Sequence, residues 1–203
     1  MGEFAKQLMG RAISSTSGLN SFHFLTVRET DNANNRQFLE GIIKAPNNAY
    51  VRRTLPDGAA VERLIRDGDQ YERGPQSTTW APSKGDFPGT IESAPASQLP
   101  LALYILGLQN TPTLEGFEFT FAPITGTVAS NLVQVVGSNS VAGSPPYQEI
   151  AFWIDENTGY IHKIIEVHNF GPALPPGQAS FETVTRTTTL DRHNDLTLTL
   201  PVP

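Results

Sequence analysis

Cysteine is absent from the sequence, and positive charge is scarce. Without cysteine the chain cannot form disulfide bonds, use a thiol nucleophile or bind a metal through thiolates. Its 14 lysines and arginines are outnumbered by 20 aspartates and glutamates, which gives a formal net charge of −6. Because phosphate contacts demand a basic surface and no stretch is dense in lysine or arginine, nucleic acid is not an expected partner.

Long hydrophobic runs are also missing. The longest apolar stretch, Leu99 to Leu108, is shorter than the about 20 residues that a membrane-spanning helix needs. No secretory signal is visible at the N-terminus, although a targeting segment removed upstream of Met1 would leave none. The missing signal therefore does not indicate a cytoplasmic protein.

Motifs for nucleotide binding and nucleophilic catalysis do not occur. The sequence contains neither GxxxxGK[ST] nor GxGxxG, and no GxSxG nucleophile elbow. Two acidic pairs, Asp67 with Asp69 and Asp155 with Glu156, lie beside glycine or asparagine, which is typical of turns. We therefore predict that the protein is not an enzyme and uses no cofactor.

The four histidines are isolated in predicted strands or turns: His23, His162, His168 and His193. His162 and His168 share the face of one predicted strand but lie roughly 20 Å apart at the usual rise per residue, so they cannot bind one ion together. A cross-strand metal site that uses one of the four is left open. No metal site is predicted.

An amphipathic helix is predicted over residues 3–17. Phe4, Leu8 and Ala12 recur at four-residue spacing with further apolar residues beside them, which makes one apolar stripe. Gly18 suits the position just after the last helical residue.

The rest of the chain predicts β-strands separated by turn residues. They are expected at residues 21–30, 36–44, 49–55, 59–66, 70–73, 117–124, 131–137, 147–154, 160–168, 180–190 and 196–200. The proline-broken residues 74–89 predict a loop. Strands with turns every about eight to twelve residues indicate a meandering antiparallel sheet. Because no linker is visible, we expect one α+β domain over residues 1–203.

A second helix is predicted over residues 97–108, and it is apolar on all sides. Such a helix must be buried, or must bury something with it; a central core helix and a cover for a ligand are both left open. The predicted strands add aromatic rings that alternate along one face. These are Phe22, Phe24, Phe117, Phe119 and Phe121.

Four segments, in order along the chain, resemble the LolA-like carriers of bacteria and most closely the LppX/LprG lipoproteins. Residues 17–24 (SGLNSFHF) resemble the Leu-x-Ser-Tyr/Phe-x-Phe strand that follows the first helix in this family, and residues 67–73 with Trp80 resemble its Gly-Asp-x-Tyr-x-Arg … Trp segment. Residues 152–161 resemble its Trp-Ile-Asp-x-x-Thr-Gly-x-Pro hairpin, and residues 191–201 resemble its closing strand. Tyr160 and Ile161 depart from the family's apolar-then-proline pair, and its lipobox cysteine is not within this chain.

The resemblance implies a half-barrel, which is a curved antiparallel sheet with helices on its concave face and an acyl-chain cavity between them. It implies an extracytoplasmic lipoprotein, membrane-anchored in its full-length form, that binds or transports a lipid, an acyl chain or a lipoprotein moiety without catalysis. The expected partners are an acylated ligand and a membrane surface or receiving envelope protein. An envelope-sensing or protein-interaction module with the same fold and a filled cavity is the alternative.

The predicted binding site is the wall of that cavity. Its hydrophobic residues are expected to be Phe22, Phe24, Leu103, Leu106, Phe117, Phe119, Phe121 and Trp153. Arg28 and Arg52 are the candidates for contact with a polar head group.

Overall fold

The computed structural model describes residues 2–30, 36–45, 48–83, 118–122, 131–139, 148–170 and 182–203, which form one helix and eleven strands. These are α1 (Gly2–Ser17), β1 (Ser21–Thr30), β2 (Gln37–Lys44), β3 (Asn48–Thr54), β4 (Ala60–Arg66), β5 (Asp69–Arg73), β6 (Ala81–Pro82), β7 (Glu118–Ala122), β8 (Leu132–Asn139), β9 (Gln148–Asp155), β10 (Ile161–Phe170) and β11 (Glu182–Asp191). The helix predicted over residues 97–108 lies outside the described residues, as do Leu103, Leu106 and Phe117.

All eleven strands belong to one open, curved antiparallel sheet. Their order is β6-β5-β4-β3-β2-β1-β11-β10-β9-β8-β7. The first and last strands therefore lie side by side at the centre, with a meander of consecutive strands on each side. The predicted antiparallel meander is confirmed, whereas helices beyond α1 on the concave face remain a prediction.

Burial alternates along β1. Phe22, Phe24 and Thr26 are buried, whereas Leu25 between them is exposed. Successive side chains of a strand point to opposite faces of the sheet, so this alternation distinguishes the two faces. We call the face that carries Phe22 and Phe24 the inner face, and the opposite one the outer face.

Helix α1 packs on the inner face. Ala5, Met9 and Ala12 are fully buried in one hydrophobic cluster with Phe22 and Phe24. The predicted helix is confirmed, but its buried stripe runs through Ala5 rather than Phe4. Within the described ranges, no helix has the length and hydrophobicity to cross a membrane.

The end of α1 is anchored to the sheet by a buried hydrogen bond. The hydroxyl of Thr16 accepts it from the backbone N–H of Ile161, at 3.0 Å. Gly18 ends the helix as predicted, with its N–H donating to the carbonyl of Ser14 at 3.1 Å, and Leu19 behind it is buried.

The prediction of a strand over residues 196–200 is wrong. The chain leaves β11 through two residues in the left-handed region, Arg192 (φ 53°) and Asn194 (φ 57°). Asp195 then forms a tight turn, in which its carboxylate accepts hydrogen bonds from the backbone N–H and the hydroxyl of Thr197 at 2.8 and 2.6 Å. Such local bonds compete with strand pairing, and the last residues form a tail without regular structure.

Candidate ligand-binding site on the inner face

One part of the inner face is apolar. Its buried side chains come from β1, β2 and β8–β11, and they are Phe22, Phe24, Ile43, Val135, Ile150, Phe152, Ile154, Ile164 and Leu190. The register aligns them in rows across the sheet, for example Val135, Phe152 and Ile164. Both predicted wall residues on β1, Phe22 and Phe24, lie in this part. Both are fully buried in the hydrophobic core and expose no surface of their own.

An aromatic pair lies where α1 meets β7, one of the two edge strands of the sheet. The rings of Phe4 and Phe121 are 5.7 Å apart, and Phe121 lies opposite Val135 of β8. Phe121 is partly buried against the core, whereas Phe4 is 65% exposed. Phe119 occupies β7 two positions earlier, opposite Gly137. The structure thus places Phe121 on the same face as Phe22 and Phe24.

The inner face becomes polar farther along β1. The hydroxyls of Thr26 and Thr188 share a buried hydrogen bond of 2.9 Å. Two residues beyond, Arg28 of β1 lies directly opposite Arg186 of β11. Arg186 in turn lies opposite Glu166 of β10, with its Nε 3.2 Å from the carboxylate Oε2.

The polar part continues onto β2 and β3. Gln37 lies opposite Arg28, and its side-chain oxygen accepts a hydrogen bond of 3.3 Å from Arg53. We call the row formed by Glu166, Arg186, Arg28 and Gln37, together with Arg53 from the neighbouring row, the arginine strip. Three guanidinium groups and one carboxylate make its net charge positive on a chain whose net charge is −6.

Two predicted site residues lie on the outer face instead. Trp153 alternates with the buried Phe152 and Ile154, and Lys163 covers its ring at 4.9 Å. Arg52 lies between the inner-face residues Val51 and Arg53 of β3, so its side chain is on the outer face. It is exposed and lies opposite Glu40 of β2 and Glu62 of β4. The structure therefore separates both side chains from Phe24 and Arg28.

The outer face carries a polar cluster that no sequence pattern predicts as a unit. Glu62 accepts hydrogen bonds from the hydroxyl of Tyr50 at 2.6 Å and from Nε of Arg73 at 2.5 Å. The guanidinium of Arg73 also covers the ring of Trp80 at 4.7 Å. The hydrogen bond from Arg73 lowers the pKa of Glu62, and burial raises the pKa of Tyr50. The cluster joins the segment carrying Trp80 to the sheet.

Arg73 and Trp80 belong to the family motif, whereas no pattern in the sequence indicates Tyr50 and Glu62 as their partners. The two lie on neighbouring strands, and their contact depends on the register of the β3–β4 hairpin. No spacing along the sequence indicates that register.

The acidic pair at Asp155 forms a turn, as predicted. Its carboxylate accepts backbone hydrogen bonds from Asn157 at 2.8 Å and Thr158 at 2.9 Å. The bond from Thr158 is the main reason that the pKa of Asp155 is lowered. Gly159 follows with φ 74°, a backbone conformation that favours glycine, so the turn explains the glycine at this position.

Two histidines that are distant in the sequence meet in the structure. The rings of His162 and His193 are 4.7 Å apart at an angle of 78°. Burial, with repulsion from His162, lowers the pKa of His193. The spacing of the histidines along the sequence does not reveal this contact. In the part of the chain that is described, no three metal-ligating side chains come together.

Comparison with known proteins gives matches at the level of structure. No protein-family model and no curated protein matches the sequence. The crystal structure of the lipoprotein LppX from Mycobacterium tuberculosis is similar over 100% of this chain and 99% of its own, with a TM-score of 0.57 and 13% identity. LprF from Mycobacterium bovis is similar over 99% of this chain and 97% of its own, with a TM-score of 0.53 and 14% identity.

The sequence motifs and the structural comparisons agree. The segments that resemble LppX/LprG lipoproteins lie in α1–β1, β5, β9–β10 and the end of β11 with the tail, and the similarity to the two solved structures extends over 99–100% of this chain. At 13–14% identity the similarity extends to the fold and no further. This chain therefore has the half-barrel fold of the LppX and LprF lipoproteins.

Proposed function

We propose that this chain binds a lipid or another acylated molecule on the inner face of its sheet, in the bacterial cell envelope and without catalysis. The observation that carries the proposal is the division of the inner face into an apolar part and the arginine strip. An amphiphile is divided in the same way, into acyl chains and a polar head. A binding surface with both parts fixes its orientation as well as its affinity.

The apolar part supplies the free energy of binding. Phe121 and Val133 are only partly buried on the inner face, so an acyl chain can still cover them. Leu39 and Val61, on either side of Arg53 at the border with the arginine strip, are also only partly buried. Each buried methylene contributes about 0.8 kcal/mol, so a chain of moderate length offsets the cost of association. We expect Leu103, Leu106, Phe117 and Phe119 to complete this wall.

The polar part consists of groups that bind rather than react. Arginine, threonine and glutamine side chains donate hydrogen bonds to anionic or polar heads. Arg28 is the predicted head-group residue that the inner face retains. The fold shared with two solved lipoproteins supports an envelope location and a membrane anchor as parts of the same proposal.

Two leucines on adjacent strands provide a matched test. Leu39 of β2 is on the inner face and packs against the core, whereas Leu25 of β1 is on the outer face and exposed. Leu39→Glu puts a charge where the acyl chain would lie, and we expect it to weaken binding of a fluorescent fatty acid at least about tenfold. Leu25→Glu should bind as the wild type does. Equal affinity in both folded variants would contradict the proposed position of the ligand.

A further inference from the structure

Two arginines face each other across neighbouring strands. Arg28 and Arg186 are directly opposite in the β1–β11 register and lie on the same face. Like charges in directly opposite positions destabilise a sheet. Arg186 has an ion pair with Glu166, while Arg28 has none among the residues that the structure describes. An anion bound between the two guanidinium groups would relieve this repulsion.

Glu166 supplies a second and independent observation. It is only 6% exposed, yet its Oε2 accepts no hydrogen bond from any described residue. Nε of Arg186 is 3.2 Å away, which is close enough for an ion pair but without hydrogen-bond geometry. A buried acceptor without a donor is costly, so such groups need an explanation. A hydrogen-bond donor on a ligand would satisfy it.

The surrounding strip adds positive charge and no further carboxylate. Arg53 is exposed and donates to Gln37, which lies opposite Arg28. The guanidinium of an arginine is planar and always charged, and its parallel N–H groups match the oxygens of a phosphate or carboxylate. The strip therefore offers positive charge for an anion at Arg28 and Arg186, and one strong acceptor, Glu166, on the strand next to Arg186.

We propose that Arg28 and Arg186 bind the phosphate of a lipid head group, and that Glu166 accepts a hydrogen bond from a hydroxyl next to that phosphate. The class of ligand is an anionic phospholipid with a hydroxylated head, for which phosphoglycerol and phosphoinositol share the required chemistry. The inference rests on the proposed function, because it assigns the head group of the amphiphile proposed there.

Three short-chain lipids with identical acyl chains separate the contribution of the head group's negative charge from that of its hydroxyl groups. Dihexanoyl phosphatidylglycerol has the negative charge and the hydroxyls, dihexanoyl phosphatidylmethanol has the charge alone, and dihexanoyl phosphatidylcholine has no net charge and no donor. Their affinities for the full chain are measured by calorimetry below the critical micelle concentration. We expect phosphatidylglycerol to bind severalfold more tightly than phosphatidylmethanol and about tenfold more tightly than phosphatidylcholine.

Two variants test the assignment to residues. Arg28→Gln removes an exposed charge and should abolish the preference for the anionic lipids over phosphatidylcholine. Glu166→Gln replaces the carboxylate with a weaker acceptor and should reduce the preference for phosphatidylglycerol over phosphatidylmethanol. Arg52→Gln is the matched control, because this exposed arginine lies on the outer face, and it should change neither preference.

The outcomes distinguish this inference from the proposed function. If all three lipids bind equally well, the head-group site is overturned while lipid binding stands. If none of them binds, both are overturned. Equal loss of preference in Arg28→Gln and Arg52→Gln would attribute the effect to overall charge and would also overturn the site.

Discussion

A single glycine makes room for the central aromatic ring of the core. Gly41 of β2 lies opposite Phe24 of β1, and a Cβ atom built at Gly41 would lie 2.7 Å from that ring and closer still to the carbonyl oxygen of Tyr50. Cβ atoms do not make contacts this short in real structures, so the ring of Phe24 and the backbone at Tyr50 would have to move. The lack of a side chain at position 41 leaves space for the ring of Phe24, which is fully buried.

We therefore expect Gly41→Ala to lower the free energy of unfolding by about 1–3 kcal/mol, which is the usual cost of overpacking. Gly10→Ala is the control, because its Cβ would meet nothing within 4 Å on the exposed side of α1. That change should raise stability by about 0.5–1 kcal/mol through helix propensity. Urea denaturation measures both, and a neutral Gly41→Ala would show that the ring does not fill this position.

Glu62 makes the outer-face cluster sensitive to pH. Its pKa is lowered in the folded state, first by the hydrogen bond from Arg73. A carboxyl group with a lowered folded pKa stabilises the protein above its unfolded pKa, about 4.3, and this contribution disappears as the pH falls through the folded pKa.

We expect Glu62→Gln to be less stable than the wild type at neutral pH, and the difference to shrink as the pH is lowered below about 4. Glu29→Gln is a suitable reference, because the ion pair of Glu29 with Arg36 is largely exposed and such pairs contribute little. Denaturation midpoints followed against pH report the effect. A constant difference between wild type and Glu62→Gln would rule out its titration as the cause.

At the scale of elements, the tail after β11 is held by one buried side chain and several contacts to strand ends. Leu198 is 2% exposed, and its carbonyl accepts a hydrogen bond of 3.0 Å from Lys44. The backbone N–H of Asn194 also donates to the carbonyl of Ser21 at 2.7 Å. The tail thus covers the ends of β1 and β2 without being a strand.

Leu198→Ala should cost about 2–4 kcal/mol of stability, since it removes a buried leucine. Leu196, two residues earlier, is 80% exposed, and Leu196→Ala should change stability by no more than about 0.5 kcal/mol. Thermal or chemical denaturation of the two variants compares the same substitution in the same segment. Similar values for both would mean that the tail does not pack as described.

The same elements show what the sequence could predict. Residues 21–30 have strand-forming side chains, and this strand was predicted with its observed bounds. Residues 196–200 also alternate leucine and threonine, yet the turn at Asp195 and two left-handed residues before it direct the chain away from the sheet. Local hydrogen bonds overrode the alternation there, and residue pattern alone does not reveal them.

Over the whole molecule, the succession of strands along the chain predicts an antiparallel meander, but it does not show which strands pair at the centre of the sheet. The central contact joins the first and last strands, where the hydrogen-bonded Thr26 and Thr188 are 162 positions apart. Arg186 and Glu166 were missed for this reason: they join Arg28 only through the registers of β1, β11 and β10. The sequence also does not show that Trp153 lies on the outer face. Phe152, Trp153 and Ile154 are all apolar, so no alternation of polar and apolar residues identifies the buried side of β9.

The proposed function requires that the inner face holds an amphiphile. Native mass spectrometry of the chain after mild extraction from bacterial cells detects such a bound molecule, and a second sample is incubated with dihexanoyl phosphatidylglycerol. We predict an added mass, lost on denaturation, in the wild type and in Leu25→Glu and strongly reduced in Leu39→Glu. Detection of the bare chain alone in both wild-type samples would show that the inner face does not hold an amphiphile.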